Sequence, residues 1–217
     1  MRALSAFERA YASEIFAASL DYAPIAITRD SLISVGAPKT LGNTVHLRSH
    51  WGRAIFDDRR AENALTQAGL ELLIHELGHV WQYQNAGVAY VGDSLWAQLK
   101  GAVLSGSRSA AYNWQAALSA DTPWNLWNPE QQASAIEAYN RALRKSSDHP
   151  IVAALQPVID KVRAGEGAPT FSVPGAVAGG LSGAGAGALV GLPVGGPVGA
   201  ALGATAGGVL GALFLGG

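Results

Sequence analysis

Leu72-Leu73-Ile74-His75-Glu76-Leu77-Gly78-His79-Val80-Trp81-Gln82 is the stretch on which the reading of this chain turns. It contains the pattern H-E-x-x-H. Side chains four residues apart on a helix stack on one face, so His75 and His79 lie one above the other. Two neutral imidazoles at that spacing are ligands for one Zn2+, and Glu76, about 100° round the helix, reaches a water on the metal. At the chain's own His and Glu frequencies the triplet arises by chance in roughly one sequence in 250 of this length. The competing reading is a buried helix carrying two satisfied histidines, and the rarity of the triplet favours metal. Leu65, Ala68 and Leu72 fall at helical spacing and run into the two histidines, with Leu73 and Ile74 widening the apolar stripe. The pattern predicts one long helix from Glu62 to about Asn85 and a partly buried site. Gly69 and Gly78 each cost helix stability by about 1 kcal/mol. At Gly78 the missing Cβ lets another backbone or a substrate come close to the metal.

The 217 residues suffice for one good core plus an appendage. The net charge of -1 gives no reason to expect nucleic acid or an acidic partner. The absence of cysteine excludes disulfides and thiolate ligands, which leaves histidine and carboxylate to hold zinc. Met1-Arg2-Ala3-Leu4-Ser5 runs directly into an amphipathic segment with no apolar signal-peptide core, so synthesis in the cytoplasm without a cleaved leader is expected. The last charged residue is Glu166. That break divides the chain into a domain over 1–166 and an uncharged Gly/Ala-rich segment over 167–217.

Within the first part, Ser5-x-x-Glu8 is a capping box for a helix over about 5–20, with Phe7, Tyr11, Ile15 and Phe16 at helical spacing. Ile25–Arg29 and Thr44–Arg48 read as short strands of a small sheet beside the active helix. His46 and His50 lie there, and strand or loop histidines without metal are the favoured reading of both. Asp57-Asp58-Arg59-Arg60 reads as a solvated charge cluster. Ser94–Lys100 and Tyr112–Ala116 read as short helices or irregular segments, and Asp121–Trp127 as an aromatic-rich turn whose tryptophans, like Trp114, are core by default. Asn128-Pro129-Glu130 is a helix start with cap, first-position proline and first-turn acid, and that helix runs to about Arg144. A further helix opens at Asp148-His149-Pro150 and runs to about Arg163, bent or split at Pro157.

A catalytic zinc site takes three protein ligands and one open position. The extended motif with a third histidine six residues on fails, because that position is Asn85. Glu130, 51 residues after His79 on its own helix, is the leading third ligand, and Glu137, two turns further on, is the runner-up. Here the chain resembles the gluzincin branch of H-E-x-x-H metallopeptidases, whose third ligand is a glutamate on a downstream helix. Glu130-Gln131-Gln132-Ala133 is similar to the E-x-x-A stretch of that branch, with Ser134 where an aspartate often follows. Ile74–Gln84 taken with Asn128-Pro129-Glu130-Gln131-Gln132, and the helix ending Ser19-Leu20-Asp21-Tyr22 before a strand, resemble the Vgr-related core-domain peptidases found beside bacterial contractile injection and type VI secretion systems. That resemblance covers about residues 4–145. It implies a zincin-like α+β fold, mainly helical with a small sheet, and delivery by a secretion machine.

The expected activity is zinc-dependent peptide hydrolysis, by an effector or toxin acting on a peptide or protein, or by an enzyme maturing other parts of the machine. His75, His79 and Glu130 hold the metal and Glu76 is the catalytic base. Tyr112, Tyr139 and His149 are candidate transition-state donors. Two other readings compete: a non-hydrolytic zinc-stabilised adaptor of the machine, and a membrane-inserting toxin with the zinc domain as carrier.

The tail carries the membrane expectation. Gly175, Gly179, Gly183, Gly187, Gly191, Gly195, Gly199, Gly203, Gly207 and Gly211 recur at every fourth position, the small-xxx-small pattern of closely packed membrane helices. Pro193 and Pro197 interrupt the row and suggest a glycine-zipper hairpin. Its arms, 175–192 and 198–215, are each roughly 27 Å long, near the thickness of a bilayer core. The competing readings are a flexible linker and a hairpin packed on its own domain.

Overall fold

The computed structural model describes residues 1–29, 39–48, 54–59, 64–86 and 112–169. The glycine row and the segment containing Ser94–Lys100, with His50, lie outside the described residues. The described chain is mainly helical with one small mixed sheet. Its elements are β1 (Arg2–Ala3), α1 (Ala6–Phe16), β2 (Ala26–Arg29), β3 (Lys39–Leu41), β4 (Thr44–Leu47), α2 (Gln67–Ala86), α3 (Trp114–Ser119), α4 (Pro129–Leu143) and α5 (Pro150–Ala164). The sheet order is β1-β2-β4-β3, with β2 and β4 parallel and the outer pairs antiparallel. The sequence pattern foresaw β2 and β4. It missed β1 and β3, which at two and three residues are too short to show an alternation.

Local chemistry sets the ends of the helices. Ser5 and Glu8 form the reciprocal capping box of α1. That helix stops at Phe16, short of the expected end near residue 20, because Ala17 turns to φ 50° and a single 3-10 turn (Ala17–Ser19) follows. Helix α2 starts at Gln67, five residues later than expected. Leu65 is instead bridged antiparallel to Phe56, and the Thr66 hydroxyl accepts from the Gly69 amide as an N-cap. Leu65 therefore reaches the core from an extended segment, although its spacing matched the helix. Asn128 and Gln131 cap α4 reciprocally, with Pro129 at its first position. Helix α5 runs unbroken through Pro157. Both Pro157 and Ala153 are exposed, so the carbonyl deprived of its partner faces water.

The core lies between α2, the sheet and helices α1, α4 and α5. Every residue of α2 from Leu73 to Gln82 is buried. Such a helix is covered on all sides, which explains why its apolar stripe is so wide. It packs closely on α4 at Gly78. A Cβ built on Gly78 would stand 3.3 Å from both Cα and Cβ of Ala133, so the glycine admits the α4 backbone itself. Trp81, Trp124 and Trp127 are buried, the last two in an edge-to-face pair 5.3 Å apart, as core tryptophans should be. Gly167 and Ala168 still pack on this domain: the Gly167 carbonyl accepts from Gln132 and Ala168 is buried. Among the described residues no helix is long and apolar enough to cross a membrane.

Candidate metal centre

Helix α2 presents His75 and His79 on one face, their rings 5.0 Å apart between centroids and nearly perpendicular. Helix α4 packs across that face at Gly78 and brings Glu130, from its own first turn, over both rings. Glu130 Oε2 lies 3.4 Å from Nε2 of His75 and 3.4 Å from Nε2 of His79. All three residues are buried, and among the described residues they form the cluster able to hold a metal ion. The separations test the fit. A direct ion pair between imidazolium and carboxylate closes to about 2.7–2.9 Å. Ligands about 2.0–2.1 Å from a shared tetrahedral centre stand about 3.3–3.4 Å apart. The observed 3.4 Å spacings are those of the second arrangement.

Burial sets the electrostatics. It opposes charge on all three groups, and their mutual attraction outweighs it. Glu130 is held well below the usual carboxylate range by the two histidines. Burial depresses His75, but the Glu130 and Glu137 carboxylates raise it well above its ordinary value. Burial likewise depresses His79, and Glu130 raises it. The raised histidines and the lowered Glu130 carboxyl thus stabilise one another's charged forms inside the domain.

Glu76 points from the same helix toward the sheet. Its Oε2 accepts a 2.8 Å hydrogen bond from the Thr40 hydroxyl, which also lies 3.1 Å from the Glu76 carbonyl oxygen. Burial pushes the Glu76 carboxyl up, with the neighbouring histidines and Thr40 pulling against it. Thr40 belongs to β3, a strand the sequence did not reveal.

Behind the two histidines stand further polar side chains. His79 Nδ1 lies 2.9 Å from Gln82 Oε1. His75 Nδ1 lies 3.2 Å from Glu137 Oε2, at an angle outside hydrogen-bond geometry. Glu137, the runner-up ligand in the sequence, lies outside the cluster of His75, His79 and Glu130. It is half-buried, paired with Arg141, and stands behind His75 on the side away from Glu130.

The candidate donors separate. The Tyr112 ring stands 6.2 Å from that of His75. Tyr139 is about 200° round α4 from Glu137 and donates its hydroxyl to Gln156 Oε1 at 2.7 Å, so the fold does not gather it at the site. His149 caps α5, its Nδ1 accepting from the Ile151 amide. With Tyr112, Trp114, Glu137 and Arg141 it lines a cavity of about 340 Å³, to which His75, Glu76, His79 and Glu130 do not contribute. His46 on β4 lies 2.8 Å, Nδ1 to Oγ1, from Thr28 on the neighbouring strand β2. Asn85 secures the end of α2, donating to the Trp81 and Ser19 carbonyls.

No family model matches the chain, and a search of curated proteins and of solved structures finds no significant match.

Proposed function

We propose that this chain is a zinc-dependent peptidase of zincin type, with His75, His79 and Glu130 as ligands and Glu76 as the general base. The observation that carries the reading is the convergence of Glu130 Oε2 on the Nε2 atoms of His75 and His79, 3.4 Å from each, with the buried Glu76 on the helix that bears the histidines. Zinc, when bound, supplies Lewis acidity toward a peptide carbonyl and toward water. Glu76 Oε2, oriented by Thr40, accepts the proton of the attacking water and returns it to the leaving amine. Tyr112, whose ring stands 6.2 Å from that of His75, is the favoured donor to the tetrahedral oxyanion.

We infer the biological setting, an effector or toxin carried by a contractile injection or type VI machine, from the motif resemblance alone. A structural adaptor would close its zinc with a fourth protein ligand and would have no use for a base. The presence of Glu76 and its partner Thr40 favours hydrolysis. The test is Glu76→Gln in the full chain. It should retain one zinc per chain while losing peptide-bond hydrolysis of an unfolded protein substrate, whereas His75→Ala and His79→Ala should lose the zinc. Equal turnover by wild type and Glu76→Gln would remove the peptidase reading, and loss of zinc from Glu137→Ala but not from Glu130→Ala would reassign the third ligand.

A further inference from the structure

We propose that Gln82 is the positioning residue of the metal centre: its buried amide sets which nitrogen of His79 carries the proton and ties that ring to the helix bearing Glu130. The inference rests on the metal-site reading above. It follows from atoms that can play one role only. Gln132 Nε2 lies 2.9 Å from the Trp124 carbonyl and 3.0 Å from the Gly167 carbonyl. A carbonyl only accepts, so the Gln132 amide nitrogen faces those two groups and its Oε1 faces Gln82. Gln82 Nε2 donates to that oxygen at 3.1 Å and to the Pro129 carbonyl at 2.9 Å. The Gln82 oxygen is thereby turned toward His79 Nδ1, 2.9 Å away, and an amide oxygen also only accepts.

His79 must therefore donate from Nδ1. The lone pair of the neutral ring is on Nε2, the atom 3.4 Å from Glu130. Three backbone carbonyls, passed through two side-chain amides, decide the tautomer of a ligand. Both glutamines are fully buried, so the network has no water to exchange with and any broken link leaves an unpaired polar group. The same Gln82 amide holds the Pro129 carbonyl, immediately before Glu130, against α2. One side chain thus orients a ligand on one helix and anchors the neighbour of a ligand on the other.

The experiment uses the full-length protein and zinc itself as probe. Zinc affinity is measured by competition with a chromophoric chelator, and the protonated ring nitrogen of His79 is read in the zinc-loaded protein by long-range 1H–15N NMR. Wild type should show His79 protonated at Nδ1 and bound to zinc through Nε2. Gln82→Met should bind zinc roughly ten- to hundredfold more weakly and lose the slowly exchanging Nδ1 proton. Gln132→Met should weaken zinc binding less, because it breaks the chain one link further from the metal. Wild-type His79 bound through Nδ1 would overturn the inference even if neither variant folds. So would a Gln82→Met affinity equal to wild type. Failure of wild type to bind zinc at all would instead overturn the metal-centre reading beneath it.

Discussion

Replacing Gly78 by alanine tests the packing that assembles the site. The new Cβ would meet Ala133 Cα and Cβ at 3.3 Å, against about 3.5–4.0 Å for relaxed carbon contacts. Ala133 Cα is backbone and cannot rotate away, so α4 must retreat by about 0.2–0.5 Å locally. Overpacking of this kind costs about 1–3 kcal/mol, and the better helix propensity of alanine returns about 1 kcal/mol. The net expectation is a loss of about 1 kcal/mol, or about 2–4 °C in Tm for a chain of this size. Gly78→Val adds two methyl groups near Ile136 Cδ1, itself 3.6 Å from the first new atom, and should cost about 3 kcal/mol. Glu130 lies three residues before Ala133, so the retreat also moves it from the two histidines, and zinc affinity should fall in the same order. The assay is thermal unfolding of the metal-free proteins, with chelator competition for zinc. A Gly78→Ala protein that melts about 2–4 °C higher than wild type would show the propensity gain unopposed, and the close helix contact would be refuted.

Thr40→Val should lower kcat roughly ten- to hundredfold, the worth of one hydrogen bond to a charged group, without changing zinc content; unchanged turnover would show that Thr40 does not orient the base. Glu8 gives a stability test: burial opposes its charge, but the bidentate Arg2 pair and the Ser5 amide win and hold its carboxyl below the ordinary 4.5. Its contribution is complete above about pH 4.5 and is lost as pH falls through the depressed folded value. Glu8→Gln should therefore be less stable at pH 7 and converge on wild type in acid, as read from urea midpoints across pH; curves that stay parallel would contradict the linkage. For the tail, the glycine row leads us to expect that the full chain floats with liposomes and that a chain ending near Gly167 stays behind. Equal behaviour of the two would make the tail a packing or docking element.

The metal motif was legible because it is local. His75, Glu76 and His79 sit within one turn or so of a single helix, so their spacing alone settles that they share a neighbourhood. Glu130 was legible at one remove: a capped helix start is also local, and ligand arithmetic called for one more carboxylate or imidazole. What the spacing left undecided was contact between distant segments. Leu65 matched the helical period, yet the Phe56 bridge and the Thr66 cap took it out of the helix, since periodicity records burial and not the backbone conformation that achieves it. Tyr139 and Tyr112 are the same residue type with the same chemistry, and only the direction of each side chain in the folded chain separates them. Thr40, Glu137, Gln82 and Gln132 carry no motif. Thr40 meets Glu76 across 36 residues of sequence and Gln82 meets Gln132 across 50, so their roles arise when α2, α4 and β3 are brought together. The sequence by itself thus determined which atoms can bind a metal and take a proton. The tertiary structure decided which carboxylate faces the two histidines, which stands behind His75, and which amide meets His79 Nδ1, because those choices depend on packing between helices rather than on the order of residues within one.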